Sequence, residues 1–167
     1  MYISLRPWTI ADASTLTAYF NNINIWSNLR DYIPHPYVVK DAEEFVTNQA
    51  AIEPTRNFAI LNEGEIVGGI GIILQEDVYR MNVELGYWIA EPFWGQGIAT
   101  IAVGLMTEYV FSTFTINRIV AEVFEYNKAS MRVLEKNGYY LESVRRKGIL
   151  KNDLLADDFV WVKLKIY

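Results

Sequence analysis

The feature that most constrains this chain is a strand, a glycine-rich turn and a helix in direct succession. Residues 83–89 alternate apolar side chains with others, which predicts a half-buried β-strand. The turn at 91–97 contains Gly95 and Gly97, which allow a sharp bend and leave no side chain to keep a ligand away. Residues 98–113 follow as an amphipathic helix, whose predicted buried stripe consists of Ile98, Ile101, Ala102, Leu105, Met106 and Tyr109.

A glycine turn that opens a helix is suited to binding an anion. The first amides of a helix have no partner within it, and the positive end of the helix dipole lies at the same place. Together these groups suit a diphosphate without any basic side chain. The turn is not a Walker loop, since no Gly-Lys-Ser/Thr follows, and Gly-x-Gly-x-x-Gly fails because residue 100 is Thr. Taken alone, the pattern is equally that of a structural tight turn.

The remaining patterns predict an α/β domain with a mixed sheet. Asp41 is the predicted N-cap of a helix, because Glu44 follows three residues later. With no repeat and no linker, we expect one domain over residues 1–167, with helices on both faces of the sheet. The other predicted strands are 3–7, 56–61, 66–74 (a hairpin with its predecessor), 118–124, 140–146 and 159–164, and the predicted helices are 11–20, 23–29, 41–51 and 129–137.

Composition excludes several kinds of site. The chain has no cysteine, which excludes disulfides and thiol nucleophiles, and His35 is its one histidine, so we expect no metal centre. His35 itself lies between two prolines, where a loop role and a substrate contact are both open. The net charge of −5 argues against nucleic-acid binding. No signal peptide and no apolar run of about 20 residues is visible, so we expect a cytoplasmic protein without membrane partners.

Charge is distributed unevenly along the chain. Residues 1–91 carry 12 acidic and 5 basic side chains, whereas residues 92–167 carry 8 acidic and 10 basic ones. This distribution suits a cationic amine acceptor and an anionic donor, although scatter over a solvated surface explains it equally well.

Residues 94–99, Trp-Gly-Gln-Gly-Ile-Ala, resemble the pyrophosphate loop of the GNAT superfamily of acyl-CoA-dependent N-acetyltransferases. The flanking segments 83–89 and 127–139 resemble that superfamily too, and the resemblance is strong over residues 81–140. The most similar branch contains the ribosomal-protein-alanine N-acetyltransferases. The resemblance implies a single-domain α+β fold whose mostly antiparallel sheet splays in a V between the strand ending at Ile89 and the strand starting at Arg118.

The resemblance also implies an acetyl-CoA site. The pantetheine would pair with the backbone of Trp88, Ile89 and Ala90. Asn127 would bind the pantetheine, with Ser130 near the sulfur. Because residues 128–151 carry 7 of the 15 basic side chains, Arg132 or Lys128 is a candidate to meet the phosphates, although a solvated helix face explains these charges equally well. The pyrophosphate would be held by the amides of Trp94, Gly95, Gln96, Gly97, Ile98 and Ala99.

Acetyl transfer to an amine needs a base, an oxyanion donor and a proton for the thiolate. Glu84 is the candidate base, because it lies on the strand that leads to the turn, although a solvated strand residue or an ion-pair partner is an open alternative. By resemblance, the amide of Ile89 or Ala90 is the oxyanion donor. Many family members place a tyrosine acid where this chain has Leu134. In the ribosomal branch a serine at the position of Ser130 is a proposed partner of the thiolate, so the resemblance implies Ser130 as the group that protonates it.

The acceptor should be a primary amine that attacks acetyl-CoA directly in a ternary complex and is read by residues 20–40. A peptide or protein N-terminus, a free amino acid, a polyamine and an aminoglycoside all remain open, as do a CoA-binding regulatory module without turnover and a nucleotide-binding or protein-interaction domain. A monomer and a homodimer are both compatible, with Trp8, Trp26 and Trp161 as expected contact residues of a dimer. The candidate acceptor residues are Asn28, Arg30, Asp31, Tyr32 and His35.

Overall fold

The computed structural model describes residues 1–166, which form seven strands and five α-helices. The strands form one sheet in the order β1-β2-β3-β4-β5-β7-β6, with β4 and β5 parallel. This mixed, mostly antiparallel α+β fold confirms the predicted fold class. The strands are β1 Ile3–Pro7, β2 Asn57–Asn62, β3 Glu65–Leu74, β4 Asn82–Ile89, β5 Arg118–Phe124, β6 Tyr140–Lys151 and β7 Leu154–Leu164. The helices are α1 Ala13–Phe20, α2 Ile23–Trp26, α3 Val39–Ala50, α4 Ile98–Thr113 and α5 Lys128–Lys136.

The chain divides into two compact units whose segments alternate along the sequence. The first unit comprises Met1–Gly71 and Tyr87–Ala102. The second comprises Ile72–Gly86 and the described residues from Val103 onwards. Strands β3 and β4 and helix α4 therefore each contribute residues to both units.

The core of the first unit lies between its helices and its strands. Leu16 of α1 and Val46 of α3 are 2% and 1% exposed, and full burial of such a side chain stabilises a fold by about 1.5–3 kcal/mol. Phe20 at the end of α1 contacts the rings of Trp88 and Tyr37 edge-on, each at a centroid distance of 4.9 Å. These aromatic contacts fix the last turn of α1 against the end of β4.

Two helix boundaries in the first unit differ from the prediction. Helix α2 ends at Trp26 rather than at residue 29. Helix α3 begins at Val39, and the carboxylate of Asp41 accepts a 2.9 Å hydrogen bond from the Val38 amide. Asp41 is thus the third residue of the helix and not its N-cap, so the predicted cap was wrong. A carboxylate satisfies free amides from either position, which is why the sequence pattern did not separate them.

Both hairpins turn through residues in the left-handed region. Glu63 and Gly64 have φ of 51° and 87° between β2 and β3, which matches the predicted hairpin. Asn152 and Asp153 have φ of 51° and 60° between β6 and β7. Two such residues in succession give the turn whose twist matches that of the flanking strands.

The hairpin of β6 and β7 is longer than predicted. The two strands span 12 and 11 residues instead of ending at 146 and starting at 159. β6 is a sheet edge with mostly exposed side chains, and its register with β7 shifts between Arg145 and Ile149. An exposed edge strand lacks the apolar alternation on which the prediction relied.

Helix α4 has the predicted bounds but a different buried face. Ile101 and Leu105 are 39% and 37% exposed, although both were placed in the buried stripe. The helix is apolar over most of its circumference, so periodicity alone did not fix which face is buried. The fully buried positions are Ile98, Ala102, Val103, Met106 and Val110.

The second unit contains the parallel ladder. Asn82–Glu84 pair with Arg118–Val120, whereas β4 runs on to Ile89 and β5 to Phe124. The parallel ladder therefore ends at Glu84 and Val120.

Two of the three tryptophans expected at a dimer contact are buried. Trp8 and Trp161 are only 4% and 6% exposed, so their predicted surface role was wrong. Within residues 1–166, no helix is long and apolar enough to span a membrane.

Candidate active site

The glycine turn has the backbone geometry of an anion-binding loop. Residues 91–93 form a single 3-10 turn, after which Gly95 and Gly97 adopt φ of 74° and 80°. Helix α4 begins at the next residue, Ile98, whose side chain is 1% exposed and anchors the helix start. The free amides at the start of α4 thus follow directly after Gly97, a position where any L-amino acid with a side chain would be strained.

Side chains of the loop fix it to the end of β4. The indole Nε1 of Trp94 donates a 2.7 Å hydrogen bond to the carbonyl of Ile89. Gln96 Nε2 donates to the carbonyl of Pro92 at 3.3 Å, and the Trp94 amide donates to Glu91 at 3.1 Å. Because the Trp94 amide has a protein acceptor, the predicted pyrophosphate amides reduce to those of residues 95–99.

The backbone at the end of β4 is partly engaged with the protein. The amide of Ala90 donates a 2.8 Å hydrogen bond to the carbonyl of Val67, and the Ile89 carbonyl accepts from Trp94. Trp88 directs its side chain into the core of the first unit, against Phe20. Of the two amides predicted as oxyanion donors, the Ala90 amide is used within the sheet, which leaves that of Ile89.

A carboxylate at the start of the loop was missed by the sequence analysis. Glu91 accepts from Asn22 Nδ2 at 2.6 Å and from Asn24 Nδ2 at 3.0 Å. The hydrogen bonds from Asn22 and Asn24 hold the pKa of Glu91 below its usual value, against a small desolvation effect. Asn22 and Asn24 lie 69 and 67 residues before Glu91 in the chain, so no local sequence pattern predicts these hydrogen bonds.

The predicted acceptor residues lie in one loop of the first unit. His35 stacks on Trp26 at a centroid distance of 5.2 Å, and the Trp26 indole donates to the carbonyl of Ile33 at 2.9 Å. Asn28 Nδ2 donates back to the carbonyl of Asn24 at 2.9 Å. These contacts give the loop a defined shape. Its remaining candidates are exposed, namely Arg30, Asp31 and Tyr32.

In the second unit, Asn127 is the N-cap of α5. Its Oδ1 accepts a 3.1 Å hydrogen bond from the amide of Ser130, so the two predicted pantetheine residues are in contact. The cap uses the oxygen of Asn127 and leaves its amide nitrogen as the atom able to donate to a ligand. Arg132 is exposed, with its guanidinium 3.5 Å from Glu135, and Lys128 Nζ lies 5.0 Å from the centre of the Phe159 ring.

Glu84 lies on β4 opposite Val120 of β5 and is partly exposed. Glu122, two residues further along β5, projects from the same face and forms a 2.7 Å ion pair with Arg145. The sequence analysis did not single out Glu122, because one acid within a strand carries no signal of its own. This face of the second unit therefore carries two carboxylates, of which that of Glu122 is paired with Arg145.

Two side chains of the second unit, those of Tyr139 and Leu134, are buried. Tyr139 is 3% exposed and its hydroxyl lies 2.9 Å from Thr107 Oγ1, and burial raises its pKa to about 12. Tyr139 is therefore a packing residue. Leu134, at the position where the resemblance implies a tyrosine in many family members, is fully buried.

Comparison with known proteins gives a consistent result. A sequence profile of the acetyltransferase (GNAT) domain matches residues 3–140. The probable N-acetyltransferase YjcK of Bacillus subtilis (strain 168) is 27% identical over 168 residues, covering 93% of this chain and 90% of that protein. The ribosomal-protein-serine acetyltransferase of Escherichia coli (strain K12) is 27% identical over 107 residues, covering 64% of this chain and 59% of its own.

A solved structure supports the fold. The spermidine N-acetyltransferase from Vibrio cholerae, in complex with CoA and spermine, superposes with a TM-score of 0.82 at 20% sequence identity. The superposition covers 97% of this chain and 93% of the other. At this identity the likeness establishes the architecture.

Proposed function

Because this chain belongs to the GNAT acetyltransferase family and is an acetyl-CoA-dependent N-acetyltransferase, we propose that its acceptor is the α-amine of a peptide or protein and that transfer is direct. The observation that carries the donor half of the proposal is the loop at Gly95 and Gly97, with its two left-handed glycines directly before α4. The acceptor half rests on the relative named for ribosomal-protein-serine acetylation.

The diphosphate of acetyl-CoA is assigned to the amides of residues 95–99. Backbone amides at a helix start bind phosphate oxygens without basic side chains, and the hydrogen bond from Trp94 to Ile89 preorganises them. In the second unit, the amide nitrogen of Asn127 is assigned to a pantetheine carbonyl. The exposed cations Lys128 and Arg132 remain candidates for the outer phosphates.

The chemistry assigns one group to each charge that develops. Glu84 takes the proton of the attacking ammonium, directly or through a water molecule, so that the neutral amine can form the new C–N bond. The Ile89 amide donates to the oxyanion of the tetrahedral intermediate. When the C–S bond breaks, the Ser130 hydroxyl passes a proton to the thiolate and receives the proton that the nitrogen loses after the C–N bond has formed, so that the serine ends neutral. Ser130 is assigned this role because the alternative position holds the apolar, buried Leu134.

Replacing Glu84 with Gln tests the base. We expect kcat to fall by about 10²–10⁴-fold, the usual contribution of a general base, while the Kd of acetyl-CoA measured by calorimetry stays within about twofold, since Glu84 is assigned no contact with the donor. Thiol release with a saturating acceptor measures kcat. Glu122→Gln is the matched variant on the same face. If Glu122→Gln removes turnover and Glu84→Gln does not, the base is Glu122.

A polyamine acceptor is the second candidate. The Vibrio cholerae relative is a spermidine N-acetyltransferase, and the net charge of residues 1–91 is acidic, with 12 acidic and 5 basic side chains. A panel of ribosomal-protein N-terminal peptides, spermidine, free amino acids and aminoglycosides, with products identified by mass spectrometry, decides between the candidates. A kcat/KM for spermidine above that of every peptide contradicts the peptide proposal. Binding of acetyl-CoA without turnover on any amine indicates a regulatory module instead.

A further inference from the structure

The carboxylate of Glu91 is held by two side-chain amides, one on each oxygen. Asn22 Nδ2 donates to Oε2 at 2.6 Å, and Asn24 Nδ2 donates to Oε1 at 3.0 Å. Asn22 is also the N-cap of α2, since its Oδ1 accepts from the Asn24 amide at 2.8 Å. The three side chains therefore form one closed hydrogen-bonded set, here called the Glu91 clamp.

On one side, the Glu91 clamp joins the glycine loop. Glu91 is the first residue of the 3-10 turn that leads into the loop, and its carbonyl accepts from the Trp94 amide at 3.1 Å. Phe93, in the same turn, contacts Tyr19 of α1 edge-on at 6.0 Å. A displacement of Glu91 therefore displaces the backbone that precedes Gly95.

On the other side, the Glu91 clamp joins the loop of predicted acceptor residues. Asn24 lies in α2, and its carbonyl accepts from Asn28 Nδ2 at 2.9 Å. Two residues after Asn24, Trp26 donates to Ile33 and stacks on His35. Helix α2 thus connects the loop of predicted acceptor residues, at positions 27–35, to the carboxylate of Glu91.

The negative charge of Glu91 determines which groups can bind to it. A carboxylate accepts and does not donate, so two amide nitrogens on its two oxygens define its orientation. Replacing one asparagine with aspartate changes a donor into a second acceptor and places like charges together. In Asn24→Asp, the side chain of Asn22 still accepts from the backbone amide of residue 24, so the N-cap of α2 is retained.

We propose that Glu91 is a positioning residue for acetyl transfer. Through its hydrogen bonds with Asn22 and Asn24, Glu91 holds residues 27–35, the acceptor loop, in a fixed position relative to the glycine loop that binds acetyl-CoA. Donor binding and acceptor binding are then coupled through one carboxylate. The inference deepens the proposed function and rests on it for the kinetic readout.

Three variants test the Glu91 clamp. Asn24→Asp places a second carboxylate against that of Glu91, and Glu91→Ala removes the carboxylate that accepts both hydrogen bonds. In the double variant Asn24→Asp/Glu91→Gln, the amide nitrogen of residue 91 can donate to the carboxylate of residue 24, so the hydrogen bond is restored and the negative charge has moved to residue 24. Glu43→Gln, which removes an exposed acid on α3, is the matched control. Thermal melting shows that each variant is folded. Acetyl-CoA affinity by calorimetry, KM for the acceptor, and hydrogen–deuterium exchange of residues 27–35 are then measured.

The two single variants should weaken acetyl-CoA binding and raise the acceptor KM by about five- to tenfold each, the size of one partly exposed charge-assisted hydrogen bond. Exchange of residues 27–35 should accelerate by a similar factor, and acetyl-CoA should slow that exchange in the unmodified protein and not in the single variants. The double variant should recover most of each effect, because it again pairs a donor with an acceptor. A merely structural role for Glu91 does not predict that acetyl-CoA loses its effect on exchange in the single variants.

The proposal is overturned if exchange of residues 27–35 is the same in all variants, or if the double variant is as impaired as the worse single one. Failure of the unmodified protein to bind acetyl-CoA would contradict the proposed function instead. In that case the exchange rates, which need no ligand, still decide whether Glu91 positions the acceptor loop.

Discussion

Replacing Gly97 with Ala separates the stability of the glycine loop from its binding function. Gly97 has φ of 80°, and a Cβ added there has no protein atom within 4 Å. The substitution therefore costs only backbone strain, about 1–2 kcal/mol for an L residue in this region. For a protein of this length the melting temperature should fall by about 2–8 °C, and the fold should persist.

The effect on donor binding should be larger than the effect on stability. The loop amides are assigned to the diphosphate, and a methyl group at residue 97 obstructs the close approach that glycine permits. Loss of one charge-assisted hydrogen bond, about 1.5–3 kcal/mol, corresponds to about a 10- to 100-fold weaker Kd. Isothermal titration with acetyl-CoA and with free CoA, below the melting temperature of the variant, measures this change.

Gly64 provides the control. Its φ is 87°, a Cβ added there also meets no atom within 4 Å, and it lies in the turn between β2 and β3. Gly64→Ala should lower the melting temperature as much as Gly97→Ala and leave the Kd of acetyl-CoA unchanged. The assignment of the loop is refuted if Gly97→Ala binds acetyl-CoA normally, or if the two variants weaken binding equally.

Two further predictions concern single side chains. Asn127→Ala should lower stability by about 0.5–2 kcal/mol through loss of the α5 cap, whereas Asn127→Ser should keep that cap and stability while weakening acetyl-CoA binding about tenfold, as melting and calorimetry would show. For Asp12, burial raises the pKa but hydrogen bonds from Arg6 and Thr9 outweigh it and hold the pKa below its usual value. Its stabilisation is therefore fully present above about pH 4 and is lost as pH falls through the lowered folded-state pKa. Asp12→Asn should cost about 1–3 kcal/mol at pH 7, and urea denaturation should show this difference closing in acid; a gap that persists at pH 2 would contradict the ion-pair explanation.

The elements that the sequence predicted best are those whose local signals agree. Helix α4 and strand β5 have the predicted bounds, since each is bordered by turn residues and has its own period. The hairpin at Glu63 and Gly64 was predicted from two residues that tolerate positive φ. The glycine loop was identified through its resemblance to a family, because a Gly-x-Gly turn alone does not separate binding from bending.

The errors arise where a choice depends on distant contacts. The phase of α4 was wrong at Ile101 and Leu105 because both faces of the helix are apolar. The Glu91 clamp was missed because its partners are in a different helix. The hydrogen bond from the Ala90 amide to the Val67 carbonyl depends on how the strands pair, and the pattern of side chains in the sequence does not predict that pairing. Local physics thus predicted the elements, and tertiary contacts decided which of their groups are accessible to a ligand.

The alternation of the two units along the chain has a consequence for synthesis on the ribosome. The first unit includes Tyr87–Ala102, and Trp88 from that segment packs on Phe20 in its core. A nascent chain that stops at residue 86 therefore lacks part of that core and exposes the apolar side of α1. Completion of that core therefore has to wait until Trp88 has left the exit tunnel.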